Sequence, residues 1–258
     1  MKTFFGHSYS YHGQCDMILL KSREFAAYAG LDIHIRTTRV DNAKVGYSYI
    51  SGAAVKLGFD VLEVMEDGEL ILNGNAVFSP TTFADGYPLR KTFKGNNNKI
   101  IVYDLDLTAI KGVHKPIQIR VNTKAKMIFV DIYGRFPDGL GLLGPPSDDS
   151  RMLARDGVTD LVGEWNSFGE EWQVRSDEPK LFRVNRAPQH PQGCVYESSN
   201  TRAMTLRRRL MDGSAVTEKD AEGACSGSKG KSKEFCIADV MATGMLDLAE
   251  DEFYLIHE

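Results

Sequence analysis

The most informative absence in this sequence is that of any long apolar run. The 258 residues contain no stretch of about 18 apolar residues, so the sequence predicts no transmembrane helix. There is no excess of positive charge either, because the net charge is −4 at pH 7. This composition gives no electrostatic basis for binding nucleic acid or an anionic membrane. The opening segment MKTFFGHSYS becomes polar too early for a secretory signal, so we expect any such signal to have been removed.

Motifs that mark common enzymes and metal sites are also missing. The four cysteines form no C-x-x-C pair, which excludes a zinc ribbon and a thioredoxin motif. The chain has no Gly-x-Ser-x-Gly elbow and no His-Glu-x-x-His motif. Asp104 and Asp106 share one strand face, but nothing marks them as a catalytic pair. The sequence therefore predicts a protein that is not an enzyme.

Short alternating segments separated by turn signals occupy the first half of the chain. In LDIHIRT, Leu31 to Thr37, the odd-numbered residues are predicted to face a core and Asp32, His34 and Arg36 to face solvent. The Asp67-Gly68 pair lies between two such segments and predicts a hairpin with a type I′ turn. Strands of this length without intervening helices predict a mainly β protein, an antiparallel β-sandwich or barrel.

The composition changes in the second half. The segment Phe136–Ser150 is rich in Gly, Pro and Asp and is predicted to be a loop, and Arg186–Cys194 is a Pro-rich linker. Three helices are predicted after it: residues 203–213, a helix capped by Thr217, and one ending at Gly244. We therefore expect a β domain over residues 1–185, followed over residues 186–258 by a linker and a small helical segment that contains cysteine.

Cys15 lies on the apolar face of an alternating segment, Tyr9 to Leu20. Three roles are open to it: a catalytic Cys/His pair, a metal site or half of a disulfide. His12 falls on the opposite face of the predicted strand, so it cannot activate the thiol locally. His34, His114, His190 and His257 are isolated at polar positions and are predicted to be solvated.

Several segments resemble the von Willebrand factor type D domain family. TFFGHSYSYHGQCDMILL, Thr3 to Leu20, resembles its opening, and GLLG, Gly141 to Gly144, its Gly-Leu-Cys-Gly turn. FGEEWQV, Phe168 to Val174, resembles its closing segment, and EFCIADVMATG the cysteine-rich helical segment that follows it. The resemblance implies a β-sandwich with a reduced helical appendage. It also implies a disulfide from Cys15 to a cysteine beyond the closing segment, where Cys194 lies, with Cys225 and Cys236 forming the second bond.

The chain departs from the family at the expected calcium site. Phe5 stands where the family usually has a ligating Asp, and Pro145 stands in place of an Asn. The remaining candidate ligands are Asp148, Asp149 and Asp156, which are equally ordinary turn formers. We therefore expect no cofactor, with calcium as the ion to be tested. The chain also lacks Asp-Pro, at which some family members self-cleave.

The resemblance implies a secreted, disulfide-bonded protein without catalytic activity. We expect it to serve in adhesion, a matrix, a coat or a filament, through protein partners or self-assembly, and without nucleic acid or membrane insertion. A carbohydrate-binding or glycan-processing module is one alternative, and an accessory domain of a lipid or small-ligand carrier is another. Exposed Tyr and Trp on a sheet face would favour the carbohydrate-binding alternative, and a wide apolar cavity would favour the carrier alternative. A self-complementary surface would favour assembly.

Overall fold

Two antiparallel β-sheets form most of the protein. The structure is a computed structural model and describes residues 1, 4, 9, 11–39, 48–84, 86–94, 99–145, 151–184, 194 and 216–250. The first sheet contains, in spatial order, β1 (Asp16–Ser22), β2 (Leu31–Arg39), β3 (Ser48–Leu57), β4 (Asp60–Met65), β5 (Leu70–Leu72) and β6 (Asn75–Val77). The second contains β7 (Thr82–Phe83), β8 (Tyr87–Lys94), β9 (Ile100–Leu105), β10 (Ile117–Asn122) and β11 (Met127–Asp131), in the order β11-β10-β9-β8-β7.

Few helices accompany the sheets in the described residues. They are α2 (Trp165–Glu171), α3 (Glu218–Ala224) and α4 (Gly230–Thr243), with short 3-10 turns at Cys225–Gly227 and Leu246–Glu250. The short element α1 (Phe25–Tyr28), in the β1–β2 loop, has left-handed φ angles and is a turn. This architecture confirms the prediction of a mainly β protein, a sandwich with a small helical part. None of the helices in the described ranges is both long enough and apolar enough to cross a bilayer.

The main hydrophobic core lies where the predicted inward faces meet. Leu31, Ile33 and Ile35 of β2 are fully buried, which confirms their predicted side of the sheet. Tyr103 and Leu105 of β9 belong to the same cluster from the second sheet. Alternate residues of β2 and β9 therefore contribute to one core, as the period of two requires.

The outer edge of β1 is closed by two irregular segments. The Lys21 amide donates to the Leu140 carbonyl at 2.7 Å, and the Leu142 amide donates to Ile18 at 3.1 Å. On the same edge the Ile18 amide donates to Trp172 at 2.8 Å. Gly141, in the GLLG turn, has φ +136°, and a Cβ there would stand 2.6 Å from the Leu19 carbonyl oxygen. Only glycine allows the turn to approach β1 this closely.

The turn between β4 and β5 differs from the predicted type, and the next hairpin has that type instead. Asp67 and Gly68 do connect β4 to β5, but the Met65 amide donates to Glu69 and only Gly68 has a positive φ. The type I′ prediction at this turn is therefore wrong, since that turn needs two positive φ angles. Asn73 and Gly74, which connect β5 to β6, have φ values of 50° and 79° and form the two-residue turn of this kind.

The C-terminal helices pack against the outer face of the second sheet. A second hydrophobic cluster combines strand residues such as Ile100, Val102 and Met127 with Cys236 and Val240 of α4. The predicted ends of the helices are present: Thr217 and Asp220 form a capping box, and Gly244 ends α4 with φ 71°. The predicted helix over residues 203–213 lies outside the described residues. The division at residue 185 stays a prediction.

Candidate interaction surface

Both disulfides implied by the resemblance are present. Cys15 is bonded to Cys194 across 179 positions of sequence, and Cys225 is bonded to Cys236. All four cysteines of the chain are therefore paired. A sulfur in such a bond is neither a thiolate nucleophile nor a metal ligand, so of the three roles open to Cys15 the structure contains the disulfide.

The candidate calcium ligands are only partly described. Asp148 and Asp149 lie outside the described residues. Asp156 closes its own turn: one carboxylate oxygen accepts the amides of Val158 and Thr159, both at 2.8 Å, and the other accepts the Thr159 hydroxyl at 2.6 Å. The Thr159 hydroxyl and these amides lower the pKa of Asp156. Within the described ranges, no three His, Cys, Asp or Glu side chains come close enough together to hold a metal ion.

The outer face of the first sheet carries a buried ion pair. Arg36 of β2 donates to both oxygens of Asp16 on β1, at 2.7 and 2.8 Å. The guanidinium also donates to the Val184 carbonyl at 2.6 Å and stands 4.3 Å from the centre of the Phe182 ring. Arg36 is buried, so its predicted exposure to solvent is wrong. The cause is a segment distant in sequence, Leu181–Val184, that lies across this face; we name it the strap.

Two further titratable side chains of the first sheet are buried. Glu63 is buried and accepts the Arg183 amide at 2.9 Å. Burial raises the pKa of its carboxyl, while the Arg183 hydrogen bond and the charge of Arg36 oppose the rise. His34 is also buried, with Nε2 3.0 Å from Asp32 Oδ1, so its predicted solvation is wrong as well.

These polar groups act within the fold. Arg36 of β2 binds Asp16 of β1 and the backbone of the strap, and Glu63 binds the backbone of the strap. The strap covers these groups. Asp104 and Asp106, the strand-face aspartates, are engaged separately: Gln118 donates to Asp104 at 2.8 Å, and the Thr108 amide donates to Asp106 at 3.0 Å. In the described residues, the contacts of these five side chains are those of structural ion pairs and turn caps.

Three aromatic side chains project from the first sheet instead of packing into it. Phe59, in the β3–β4 turn, is 101% exposed, Phe78, just after β6, is 92% exposed, and Tyr28, in the β1–β2 loop, is 77% exposed. We name these three residues the aromatic rim. Tyr28 and Phe59 lie at the same end of the sheet, because the Gly58 amide contacts the Gly30 carbonyl at 3.4 Å. Rings this exposed gain nothing from the fold of their own chain.

The loop that presents Tyr28 is held in a strained conformation. Ala26, Ala27 and Tyr28 have φ values of 51°, 54° and 70°, a left-handed turn that costs roughly 1–2 kcal/mol per L-residue. Phe25, at its start, packs on Phe136 with ring centres 5.6 Å apart. Strain of this kind persists only where the surrounding structure fixes it, and it is concentrated at functional sites.

Asp138 fixes the start of this loop. Its carboxylate accepts the amides of Arg23 and Glu24 at 2.6 and 2.9 Å, together with the Ser22 hydroxyl. Burial alone would raise the pKa of Asp138, but these hydrogen bonds outweigh it and lower the pKa. Neither this loop nor the aromatic rim was predicted from the sequence. The signal for Phe59 was present, since an apolar residue follows Gly58 at a turn where polar residues are usual.

In comparisons with known proteins, no family model and no curated protein matches the chain.

Proposed function

We propose that this protein is a non-catalytic module of the von Willebrand factor type D class that binds proteins, or copies of itself, in an extracellular structure. The observation that carries the proposal is the near-complete exposure of Phe59 and Phe78 on one sheet. Phenylalanine is among the residues enriched in the buried centres of protein interfaces. Two rings standing free on one rigid sheet provide anchors for a partner.

The cysteines support the extracellular part of the proposal. All four are in disulfides, and the sequence between Cys15 and Cys194 contains most of the sandwich. Such bonds persist in oxidising compartments and are rare where thiols are kept reduced. The buried Asp16–Arg36 pair and Glu63 support the non-catalytic part, because the strap covers them and its backbone occupies their hydrogen-bonding groups.

The test measures binding to three surfaces under oxidising conditions. The surfaces carry the protein itself, the extracellular matrix deposited by cultured cells, and the same matrix after protease digestion. The proposal expects binding to one or both of the first two surfaces and loss of matrix binding after digestion. It also expects Phe59→Ser and Phe78→Ser each to weaken that binding by about tenfold or more, the range of an interface anchor.

A matched control distinguishes the rim from general surface hydrophobicity. Val158 is 74% exposed on a loop remote in sequence from the rim, so Val158→Ser removes a comparable apolar contact elsewhere. We expect this variant to bind as the wild type does, and all three variants to unfold at the wild-type temperature. Equal binding by wild type and both phenylalanine variants would overturn the proposal. Matrix binding that survives digestion would favour the carbohydrate-binding alternative instead.

A further inference from the structure

The outer edge of β6 differs from the rest of the surface because it is uncharged. From Leu70 to Ala84 the chain has 15 consecutive residues without charge, in a protein in which 26% of residues are charged. Asn75, Ala76 and Phe78 within this segment are exposed. Proteins usually protect an edge strand with charged residues or proline, and β6 contains neither.

The other sheet edges are less open to pairing. In the described part of the chain no strand pairs with the far side of β6. At the opposite edge of the same sheet, β1 is hydrogen-bonded to Leu140 and Trp172. In the second sheet β7 has only two residues, and β11 lies against β3. Among the described strands, β6 therefore offers an edge where a further strand can join.

The β5–β6 turn determines which backbone groups of β6 point outward. Asn73 and Gly74 form a two-residue turn, and Leu72 pairs with Asn75 across it. In such a hairpin the residues flanking the turn exchange both hydrogen bonds, and the pattern alternates from there. The N–H and C=O of Ala76 therefore point away from β5, and continuing the same alternation one step past Val77 gives this direction for Phe78. A strand added at this edge would bind these groups.

We propose that β6 pairs with β6 of a second copy of this chain, antiparallel and across a twofold axis at Ala76; this inference rests on the proposed function and names one partner. In this register the two Ala76 residues exchange both backbone hydrogen bonds. Phe78 then lies opposite Gly74 of the second copy, a position where its ring meets no side chain. The same residues serve both copies, as a twofold interface requires.

Charge favours this edge over the remaining surface. Two copies of a chain with net charge −4 repel one another at most approaches. The segment Leu70–Ala84 brings no like charges together, because it contains none. Main-chain hydrogen bonds then supply the attraction, as in other cases of strand addition.

The test removes the outward N–H of Ala76 while leaving the β5 ladder intact. Ala76→Pro deletes that donor, and proline is tolerated on an edge strand when its missing N–H faces solvent. Ala76→Val is the matched control, since it keeps the donor and suits a strand. We expect sedimentation velocity to show concentration-dependent dimers for the wild type and for Ala76→Val. For Ala76→Pro we expect self-association to weaken by about tenfold or more.

A second readout locates the contact and separates two kinds of failure. In the wild type, amide exchange at Ala76 and Phe78 should slow as concentration rises, while exchange at Leu72 should not change. A wild type that stays monomeric, or an Ala76→Pro variant that dimerises like the wild type, would overturn the strand-pairing inference. A monomeric wild type would leave binding to other proteins as the proposed function, which matrix binding and Phe59→Ser, a substitution outside β6, test separately.

Discussion

Arg36 and Asp16 form a two-point ion pair, at 2.7 and 2.8 Å, with side chains only 5% and 8% exposed. Removing one partner leaves the other charge buried, which typically costs about 3–5 kcal/mol of unfolding free energy. We therefore expect Arg36→Met to destabilise the protein by that amount in urea unfolding at neutral pH. The double variant Asp16→Leu/Arg36→Met should lose much less.

Two comparisons check this prediction. Arg90 is 67% exposed and stands 3.7 Å from Asp104, so Arg90→Met should change the unfolding free energy by no more than about 0.5 kcal/mol. Arg36→Lys keeps the charge but loses the planar fork, so it should fall between wild type and Arg36→Met. An Arg36→Met variant as stable as Arg90→Met would mean that the ion pair contributes nothing.

The two disulfides should differ in their effects. On the chain-entropy model, a bond closing 179 positions contributes about 5 kcal/mol and one closing 11 contributes about 3 kcal/mol. Cys15→Ser should therefore lower the melting temperature more than Cys236→Ser. Hydrogen exchange should show Cys236→Ser loosening α4 and the amides of Ile100 and Val102, because these strand residues share a cluster with α4. Unchanged melting in both variants would contradict the pairing.

Glu63 should make stability depend on pH. Burial raises its folded-state pKa above the ordinary 4.5, so between these two values the folded protein holds a proton that the unfolded chain releases. The contribution of Glu63 to stability is therefore largest at low pH and is lost as pH rises through the raised pKa. Glu63→Gln mimics the protonated form and keeps an acceptor for the Arg183 amide.

The stability of Glu63→Gln relative to wild type should thus increase with pH, as measured by urea unfolding at a series of pH values. Glu170 is exposed, so Glu170→Gln provides the control for a simple loss of charge. A Glu63→Gln variant whose stability difference from wild type stays constant across the series would show that the carboxyl is solvated.

Calcium should have little effect on stability. The Asp156 oxygens already accept hydrogen bonds from Val158 and Thr159, and a ligand that binds only the native state would raise the melting temperature. Melting curves with calcium and with a chelator should therefore coincide. A large fall in the melting temperature on chelation would show that Asp148, Asp149 and Asp156 form a site, and Asp156→Asn should then reduce the calcium effect.

Local patterns predicted the parts of this fold that depend on nearby residues. Alternation identified the core face of β2, and the capping residues located Thr217 and Gly244 at helix ends. These features depend on backbone period and on hydrogen bonds within a few positions. The resemblance supplied the Cys15–Cys194 pairing, which no local pattern contains.

Features made by distant segments were not predictable in this way. Arg36 alternates as a solvent-facing residue does, but the strap, more than a hundred positions later in the sequence, lies across it. The aromatic rim was missed for the opposite reason. Apolar residues are ordinarily expected to be buried, and the one sequence signal against burial of Phe59 was its position directly after Gly58, at a turn.

The Cys15–Cys194 bond also determines how the protein would carry tension. If the chain is pulled from points before Cys15 and after Cys194, the load passes directly through the two sulfurs, and both sheets are bypassed. The 179 positions between them would span roughly 600 Å if fully extended. While the bond is intact, this segment cannot extend under tension. Reduction would release it, so a redox change would turn a short rigid link into a long extensible one.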